Sequence, residues 1–225
     1  MDKIKKIEDY AKSIVIMQAG HGYDHTNRVR NWGLIISEQE DYPRPDLVQA
    51  AALLHDIGLS KAGDRRDHGL RSAEMAEIFF TENNLFGEED IAEIYEAIST
   101  HNKGYGGRNF LSAILKDADI LDLLGPIGVL RAARAELDLP YYLTEDIKSP
   151  GWKKGNDYFD LKFQSGRRPA DDMMEQFCFQ ASCYENMKLK SAKAIAKPYV
   201  DFLYDFIIKL DKQIGSVISE RIKDV

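Results

Sequence analysis

The sequence predicts an all-α fold, a bundle of helices packed around one central, buried helix. Apolar residues recur at helical offsets through most of the chain, and no segment shows a convincing alternation of apolar and polar residues of the kind expected for a half-buried strand. One segment, LVQAAALLHDIG, is apolar on nearly every side, which favours a position at the centre of the bundle.

The helices of the first half are predicted from periodicity and from their ends. The segment KIKKIEDYAKSIVIM has helical periodicity, and Asp24 is in position to cap a second helix, HTNRVRNWGLIISEQE. Asp46 then opens the apolar helix, which is expected to continue to Gly58. Two more helices are predicted, one from Asp67 to the next Asn-Asn pair and one over EEDIAEIYEAIST.

The second half contains four predicted helices and one irregular segment. FLSAILKDADILDLL is helical, and Pro126 suits the first turn of IGVLRAARAEL. Periodicity lapses over residues 139–169, a length that is uncommon for a loop and often marks a lid. Helices at about 170–193 and 195–215 complete the chain. We therefore expect one domain, residues 1–225, with a lid-like excursion at 139–169.

Length, composition and charge narrow the class of protein. The chain has 225 residues, 44% of them hydrophobic, and a formal net charge of −7. It can bury a core without disulfides, and its acidic balance argues against a nucleic-acid surface. The N-terminal segment has no signal-peptide pattern, and no apolar run reaches membrane-spanning length. We predict a cytoplasmic protein that binds neither nucleic acid nor membrane; its oligomeric state stays open.

Residues suited to metal binding concentrate in the first half of the chain. All five histidines fall between residues 21 and 101. His55 and Asp56 close the most apolar helix, where burial of an imidazole and a carboxylate is costly unless they are paired or bound to a metal. A further aspartate that looks buried lies in LKDADILD. The pattern indicates that these residues are either paired with one another or bound to a metal.

The order of His25, the His55-Asp56 pair and Asp119 resembles the HD superfamily of metal-dependent phosphohydrolases, and these residues match its four defining ligands. HGYDHTNRV, AALLHDIG and KDADILDLLGPIGVLR look similar to bacterial HD hydrolases that include nucleoside triphosphate pyrophosphohydrolases. The resemblance covers most of the chain except residues 139–169.

Two further histidines, His68 and His101, match the extra histidines of the binuclear branches of the superfamily. Those branches include cyclic-nucleotide phosphodiesterases and dinucleoside-polyphosphate hydrolases. The resemblance thus implies one or two divalent ions, and imidazole and carboxylate ligands suit Mn²⁺, Fe²⁺, Co²⁺ or Ni²⁺, with Mg²⁺ as an alternative. The implied metal ligands are His25, His55, Asp56, His68, His101 and Asp119. The implied catalytic residues are Asp56, His68 and His101.

Several neighbouring residues have competing interpretations. His21 is not counted as a ligand, because close relatives often carry His-Asp at His21-Gly22; it is a chance neighbour or a group that contacts a ligand. Asp122 shares a helix face with Asp119 and competes with it, whereas Asp117 is expected on the solvated side. Arg28 is expected in a salt bridge rather than on a phosphate.

The resemblance implies a small phosphorylated substrate, most simply a soluble nucleotide. A metal-bound hydroxide would cleave a phosphoester or phosphoanhydride bond, and conversion of a nucleoside triphosphate to monophosphate and pyrophosphate is the leading hypothesis. The alternatives are hydrolysis of a dinucleoside polyphosphate or cyclic nucleotide, and a non-catalytic nucleotide sensor. Cations beside the ligand segments are candidates for phosphate binding. They are Lys61, Arg65, Arg66, Lys103, Arg108, Arg131 and Arg134.

Overall fold

The predicted all-α class is confirmed in a computed structural model. It describes residues 2–14, 21–61, 65–103, 107–136, 138–142, 149–165 and 167–223. These residues form ten α-helices and three short 3₁₀ helices, and none of them lies in a strand. The chain divides into two compact units. The first comprises Met1–Asp122 and Met187–Ala194, and the second comprises Leu123–Asn186 and Ile195–Val225. The expectation of one domain stays a prediction.

The first unit contains six complete helices. They are α1 (Lys3–Ile14), α2 (Tyr23–Gln39), α3 (Pro45–Leu54), α4 (His68–Glu82), α5 (Glu88–Thr100) and α6 (Phe110–Leu121). Two 3₁₀ helices, Ile57–Ser60 and Arg65–Asp67, lie between α3 and α4.

Helix α3 is the central buried helix that the sequence predicts. Seven of its ten residues are buried, and α1, α2, α5 and α6 all pack against it. The helix is shorter than expected: it ends at Leu54, so His55 and Asp56 lie in the turn beyond it rather than within the helix. The polar pair therefore occupies a position where the backbone changes direction and side chains from other helix ends can meet it.

Two helix starts differ from the sequence-based expectation. Helix α2 begins at Tyr23 after Gly22, and α3 begins at Pro45 after Arg44, so Asp24 and Asp46 lie inside the first turns instead of capping them. An acidic residue in the first turn is also favourable, because the N-terminal end of a helix carries a partial positive charge. Pro126 does lie in the first turn of its helix, as predicted.

The second unit contains α7 (Gly125–Ala135), α8 (Asn156–Gln164), α9 (Met173–Ser182), the 3₁₀ helix Cys183–Asn186 and most of α10 (Lys190–Lys223). Helix α8 falls within the excursion at 139–169, where the sequence indicates no periodic element. It buries Phe159 in the core of this unit, and the described residues 149–155 and 167–172 on either side of α8 lie in no helix or strand. Residues 143–148 of the excursion lie outside the described residues.

None of the described helices has both the length and the hydropathy that a membrane span requires.

A buried carboxylate ties the segment before α10 to the first unit. Asp117 of α6 is fully buried. Its two oxygens accept hydrogen bonds from the Lys188 amide at 2.9 and 3.0 Å and from the Leu189 amide at 2.7 Å. The expectation that Asp117 faces solvent is wrong, because the chain returns from far along the sequence to cover this face of α6.

Replacing Asp117 with alanine is expected to lower the free energy of unfolding by about 2 to 4 kcal/mol, because the two buried amides lose their acceptor. Urea titration followed by circular dichroism measures the change. The matched control is Asp9→Ala, which removes an exposed partner of Lys5 and should cost less than about 0.5 kcal/mol. Equal effects of the two substitutions would contradict the role assigned to Asp117.

Candidate metal centre

Seven side chains of the first unit converge at the ends of its helices. His25 lies in the first turn of α2, His68 begins α4 and His101 follows α5 directly. Asp119 lies in the last turn of α6. His55 and Asp56 in the turn after α3, and His21 just before α2, complete the set. We call these side chains the histidine–aspartate cluster. Its members are His21, His25, His55, Asp56, His68, His101 and Asp119.

One half of this cluster contains His25, His55 and Asp119, the first ligand group. His25 Nε2 lies 3.2 Å from His55 Nε2 and 3.4 Å from Asp119 Oδ1, and His55 Nε2 lies 4.0 Å from Asp119 Oδ1. Asp56 Oδ2 is 3.5 Å from both imidazole nitrogens. Donor atoms bound to one ion at about 2.0 to 2.2 Å lie about 3 to 3.5 Å apart. The spacing therefore suits a common metal ion.

The other half contains His68 and His101, the second ligand group. Their Nε2 atoms lie 3.1 Å apart, and Asp56 Oδ1 is 3.2 Å from His68 Nε2 and 3.6 Å from His101 Nε2. Asp56 thus directs one oxygen to each ligand group. A single carboxylate in this position can bridge two ions.

Close packing between the turn after α3 and helix α4 brings His68 to Asp56. The Gly58 amide donates to Ser72 Oγ at 2.9 Å. A Cβ at Gly58 would lie 2.5 Å from the His68 carbonyl oxygen and 2.7 Å from the Ser72 amide nitrogen. Because only a glycine allows this approach, Gly58 holds the second ligand group against the first.

Backbone carbonyls orient two of the imidazoles. His55 Nδ1 donates to the Ala52 carbonyl at 2.8 Å, and His101 Nδ1 donates to the Ile98 carbonyl at 2.7 Å. A neutral imidazole that donates through Nδ1 presents the lone pair of Nε2. Both rings therefore turn Nε2, the nitrogen that could bind a metal, toward the cluster.

A buried carboxylate orients His25 in the same way. Asp122 is 1% exposed, and its Oδ2 lies 2.7 Å from His25 Nδ1. Arg28 holds both oxygens of Asp122, with Nε at 2.6 Å and Nη2 at 3.1 Å. The salt bridge expected for Arg28 is therefore present, and it is made to Asp122. Sequence reasoning weighed Asp122 only as a rival ligand to Asp119.

His21 also belongs to the histidine–aspartate cluster, although the sequence analysis did not count it as a ligand. Its Nδ1 lies 2.8 Å from Asp56 Oδ2. Its ring meets that of His25 edge to face, with 5.7 Å between centroids. The four-residue spacing from His25 was the only sequence signal for this proximity.

The environment sets the protonation states that metal binding requires. Burial lowers the pKa of His55 to about 4, so its imidazole is neutral at pH 7. Burial alone would raise the pKa of Asp56, but the facing imidazoles of His55 and His21 outweigh it and hold that pKa well below its ordinary value. The pKa of Asp119 is lowered in the same way, against burial, by His25 and His55. Neutral imidazoles and ionised carboxylates are the metal-binding forms.

The candidate phosphate-binding cations are divided between the two units. Lys61, Arg66, Lys103 and Arg108 are exposed in the first unit, after the segments that carry ligand residues. The side chain of Arg65 lies outside the described part of the structure. Arg131 and Arg134 belong to α7 of the second unit, where Arg131 is buried and Arg134 exposed. Their role as substrate ligands stays a prediction.

Comparison with known protein families identifies the class of this protein. Residues 22–124 match the family model of the HD domain, and both ligand groups fall within the match. Residues 22–124 thus carry an HD domain, the domain of the HD superfamily of metal-dependent phosphohydrolases, and the helical fold and the His/Asp cluster agree with that assignment. The expected family and enzyme class are thereby confirmed.

Solved structures share the fold over nearly the whole chain. A protein from Lactobacillus plantarum is 19% identical with a TM-score of 0.72, and the alignment covers 95% of this chain and 97% of that one. An HD-superfamily hydrolase from Bacillus thuringiensis is 21% identical with a TM-score of 0.65, over 95% and 97%. Bacillus subtilis YpgQ in complex with ADP is 19% identical with a TM-score of 0.63, over 94% of each chain. The comparison with curated proteins yields no match.

The low pKa of His55 predicts how the stability of the metal-free protein depends on pH. Between pH 6.5, the ordinary pKa of histidine, and about 4, the unfolded chain binds a proton at His55 that the folded chain does not. Stability should therefore fall as the pH falls through this range, by about 1.4 kcal/mol per unit of pKa difference. Urea unfolding with a chelator, at several pH values, measures the slope.

The control for this measurement is His55→Gln, which cannot take up the proton. Its unfolding free energy should vary less between pH 6.5 and 4 than that of the wild type. Parallel pH profiles for the two proteins would show that His55 is not held neutral by burial.

Proposed function

We propose that this metal-dependent phosphohydrolase acts on a soluble nucleotide, and that it converts a nucleoside triphosphate to the monophosphate and pyrophosphate. The observation that carries the proposal is the position of Asp56, whose two oxygens face separate groups of imidazoles at 3.2 to 3.6 Å. Such a centre suits displacement at phosphorus, where charge accumulates on phosphoryl oxygens. The ADP bound in the YpgQ structure supports a nucleotide as the substrate class.

The donor set fits divalent transition metals. We propose that His25, His55, Asp56 and Asp119 hold one ion and that Asp56, His68 and His101 hold a second. Nitrogen and carboxylate donors without a thiolate favour Mn²⁺, Fe²⁺, Co²⁺ or Ni²⁺, with Mg²⁺ as the alternative. When bound, such ions supply an activated water and neutralise phosphoryl charge.

The protein's own residues fix the geometry in which that chemistry takes place. Asp122, held by Arg28, prevents rotation of the His25 ring, and the Ala52 carbonyl does the same for His55. Four members of the cluster, His25, His55, Asp56 and His101, are buried, and limited contact with bulk water strengthens their electrostatic interactions. Cations then bind the remaining phosphate oxygens. The exposed candidates in the first unit are Lys61, Arg66, Lys103 and Arg108.

The second ligand group favours one further candidate function. His68 and His101 resemble the extra histidines of branches that hydrolyse dinucleoside polyphosphates or cyclic nucleotides, and their Nε2 atoms lie 3.1 Å apart beside Asp56. The products distinguish these reactions, because a dinucleoside polyphosphate gives two nucleotides and a cyclic nucleotide gives one linear monophosphate. A sensor without catalysis would bind the nucleotide and leave it intact.

A chromatographic screen tests the proposed activity. Nucleoside triphosphates, cyclic nucleotides and diadenosine polyphosphates are incubated with the protein and Mn²⁺, with Asp56→Ala as the control. We expect pyrophosphate and a monophosphate from the wild type, and a rate at least about 100-fold lower in the variant, which loses the residue common to both ligand groups. Circular dichroism verifies that the variant keeps its helices. Intact nucleotides across the panel, with metal bound to the protein, would contradict nucleotide hydrolysis.

Replacing His101 with alanine tests the second ion. Equilibrium dialysis should give two Mn²⁺ ions per wild-type chain and one per variant chain, because the variant loses one of the two imidazoles of the second ligand group. Asp24→Asn, an exposed substitution in the first turn of α2, should retain both ions. One ion in the wild type would reduce the centre to the first ligand group.

A further inference from the structure

His21 makes a contact that neither ligand group accounts for. It precedes Gly22, the N-terminal capping residue of α2, and its side chain is 25% exposed, compared with 3% for the side chain of Asp56. Its Nδ1 approaches Asp56 Oδ2 to 2.8 Å, which is within the usual range for an N–H···O hydrogen bond. His21 therefore reaches the carboxylate from the edge of the centre.

His21, His25 and His55 all approach Asp56 Oδ2, but His21 does so at a different distance from the other two. The Nε2 atoms of His25 and His55 lie 3.5 Å from Asp56 Oδ2, a distance that suits donors to a common ion but is too long for a good hydrogen bond. The contact from His21 is shorter by 0.7 Å, the difference between 3.5 and 2.8 Å. In a hydrogen bond to an ionised carboxylate, which only accepts, Nδ1 of His21 is the donor and offers no lone pair to a metal. This role differs from a metal group of His21, His25 and Asp56, which the positions of these side chains would also allow.

No capping hydrogen bond fixes the rotation of the Asp56 carboxylate. Asp56 occupies the N-terminal capping position of the 3₁₀ helix Ile57–Ser60, yet its side chain makes no capping hydrogen bond there. Both ligand groups depend on the direction of its oxygens, because Oδ2 faces His25 and His55 while Oδ1 faces the other pair. A rotation of the carboxylate about its Cβ–Cγ bond would remove one donor from each proposed ion.

We propose that His21 is a positioning residue that donates a hydrogen bond from Nδ1 to Asp56 Oδ2 and so aligns the carboxylate between the two ligand groups. This inference rests on the proposed metal centre and adds to it a residue outside the ligand set. Groups that hold metal-binding carboxylates in this way typically change metal affinity by 10- to 100-fold.

Two substitutions at His21 separate hydrogen bonding from the other contributions of the side chain. His21→Ala removes the donor. His21→Asn keeps one, because the amide nitrogen of asparagine takes the position of Nδ1 relative to the backbone. Mn²⁺ affinity is measured by electron paramagnetic resonance of the free ion during titration, so the measurement needs no substrate. Asp24→Asn is the matched control, since Asp24 is exposed in the neighbouring turn. Circular dichroism and thermal unfolding of the metal-free proteins monitor the fold.

We expect His21→Ala to weaken Mn²⁺ binding by about 10- to 100-fold. His21→Asn and Asp24→Asn should bind close to the wild-type value, with all four proteins equally helical. Wild-type affinity in His21→Ala would overturn the inference and leave the metal centre intact. An equal loss in His21→Ala and His21→Asn would also overturn it, because a metal ligand or a shape contact is not restored by an amide donor. A wild-type protein that binds no Mn²⁺ would overturn the metal centre itself, and the inference with it.

Discussion

The burial of the Asp56 carboxylate among imidazoles is the interaction on which the rest of the structure depends. An ionised carboxylate with 3% of its side chain exposed is costly unless positive or hydrogen-bonding groups surround it. Here the surrounding groups are histidines from separate elements, and three of them, His25, His55 and His101, are themselves fixed by a carboxylate or a carbonyl. The fold therefore brings polar side chains from several helix ends together around the turn that follows its apolar central helix. A divalent cation is the partner that such a concentration of donors and negative charge favours.

Helix ends deliver these groups, and this arrangement has a physical reason. The backbone at a helix end has carbonyls or amides without partners in the helix, so it can orient a side chain as well as present one. His55 and His101 both follow the last turn of a helix and both donate to a carbonyl three residues earlier. The same local geometry thus appears twice, once in each ligand group, and sets the tautomer of each ring.

The sequence predicts the helices much better than it predicts their ends or the contacts between them. Periodicity identifies α3 as the buried centre, but an aspartate in the first turn and one at the cap give the same local pattern, so Asp24 and Asp46 were both misplaced. Histidine and aspartate positions indicate the ligand set through their resemblance to a family. Asp122 and His21 act across 97 and 35 residues of sequence, and no local pattern encodes such approaches. Helix α8 was missed because its burial of Phe159 depends on the core it joins.

The hydrogen bonds that Asp117 accepts show that the HD-domain match and the folded unit have different boundaries. The match ends at residue 124, yet the compact unit that holds both ligand groups also includes Met187–Ala194. The amides of Lys188 and Leu189 satisfy a carboxylate two residues before Asp119 on the same helix. A fragment cut at the end of the match would lose both amide donors and the segment that covers that carboxylate, two residues before a proposed ligand on the same helix. The segment Met187–Ala194 is thus a structural component of the unit that holds both ligand groups, and recombination between relatives would have to exchange both segments together.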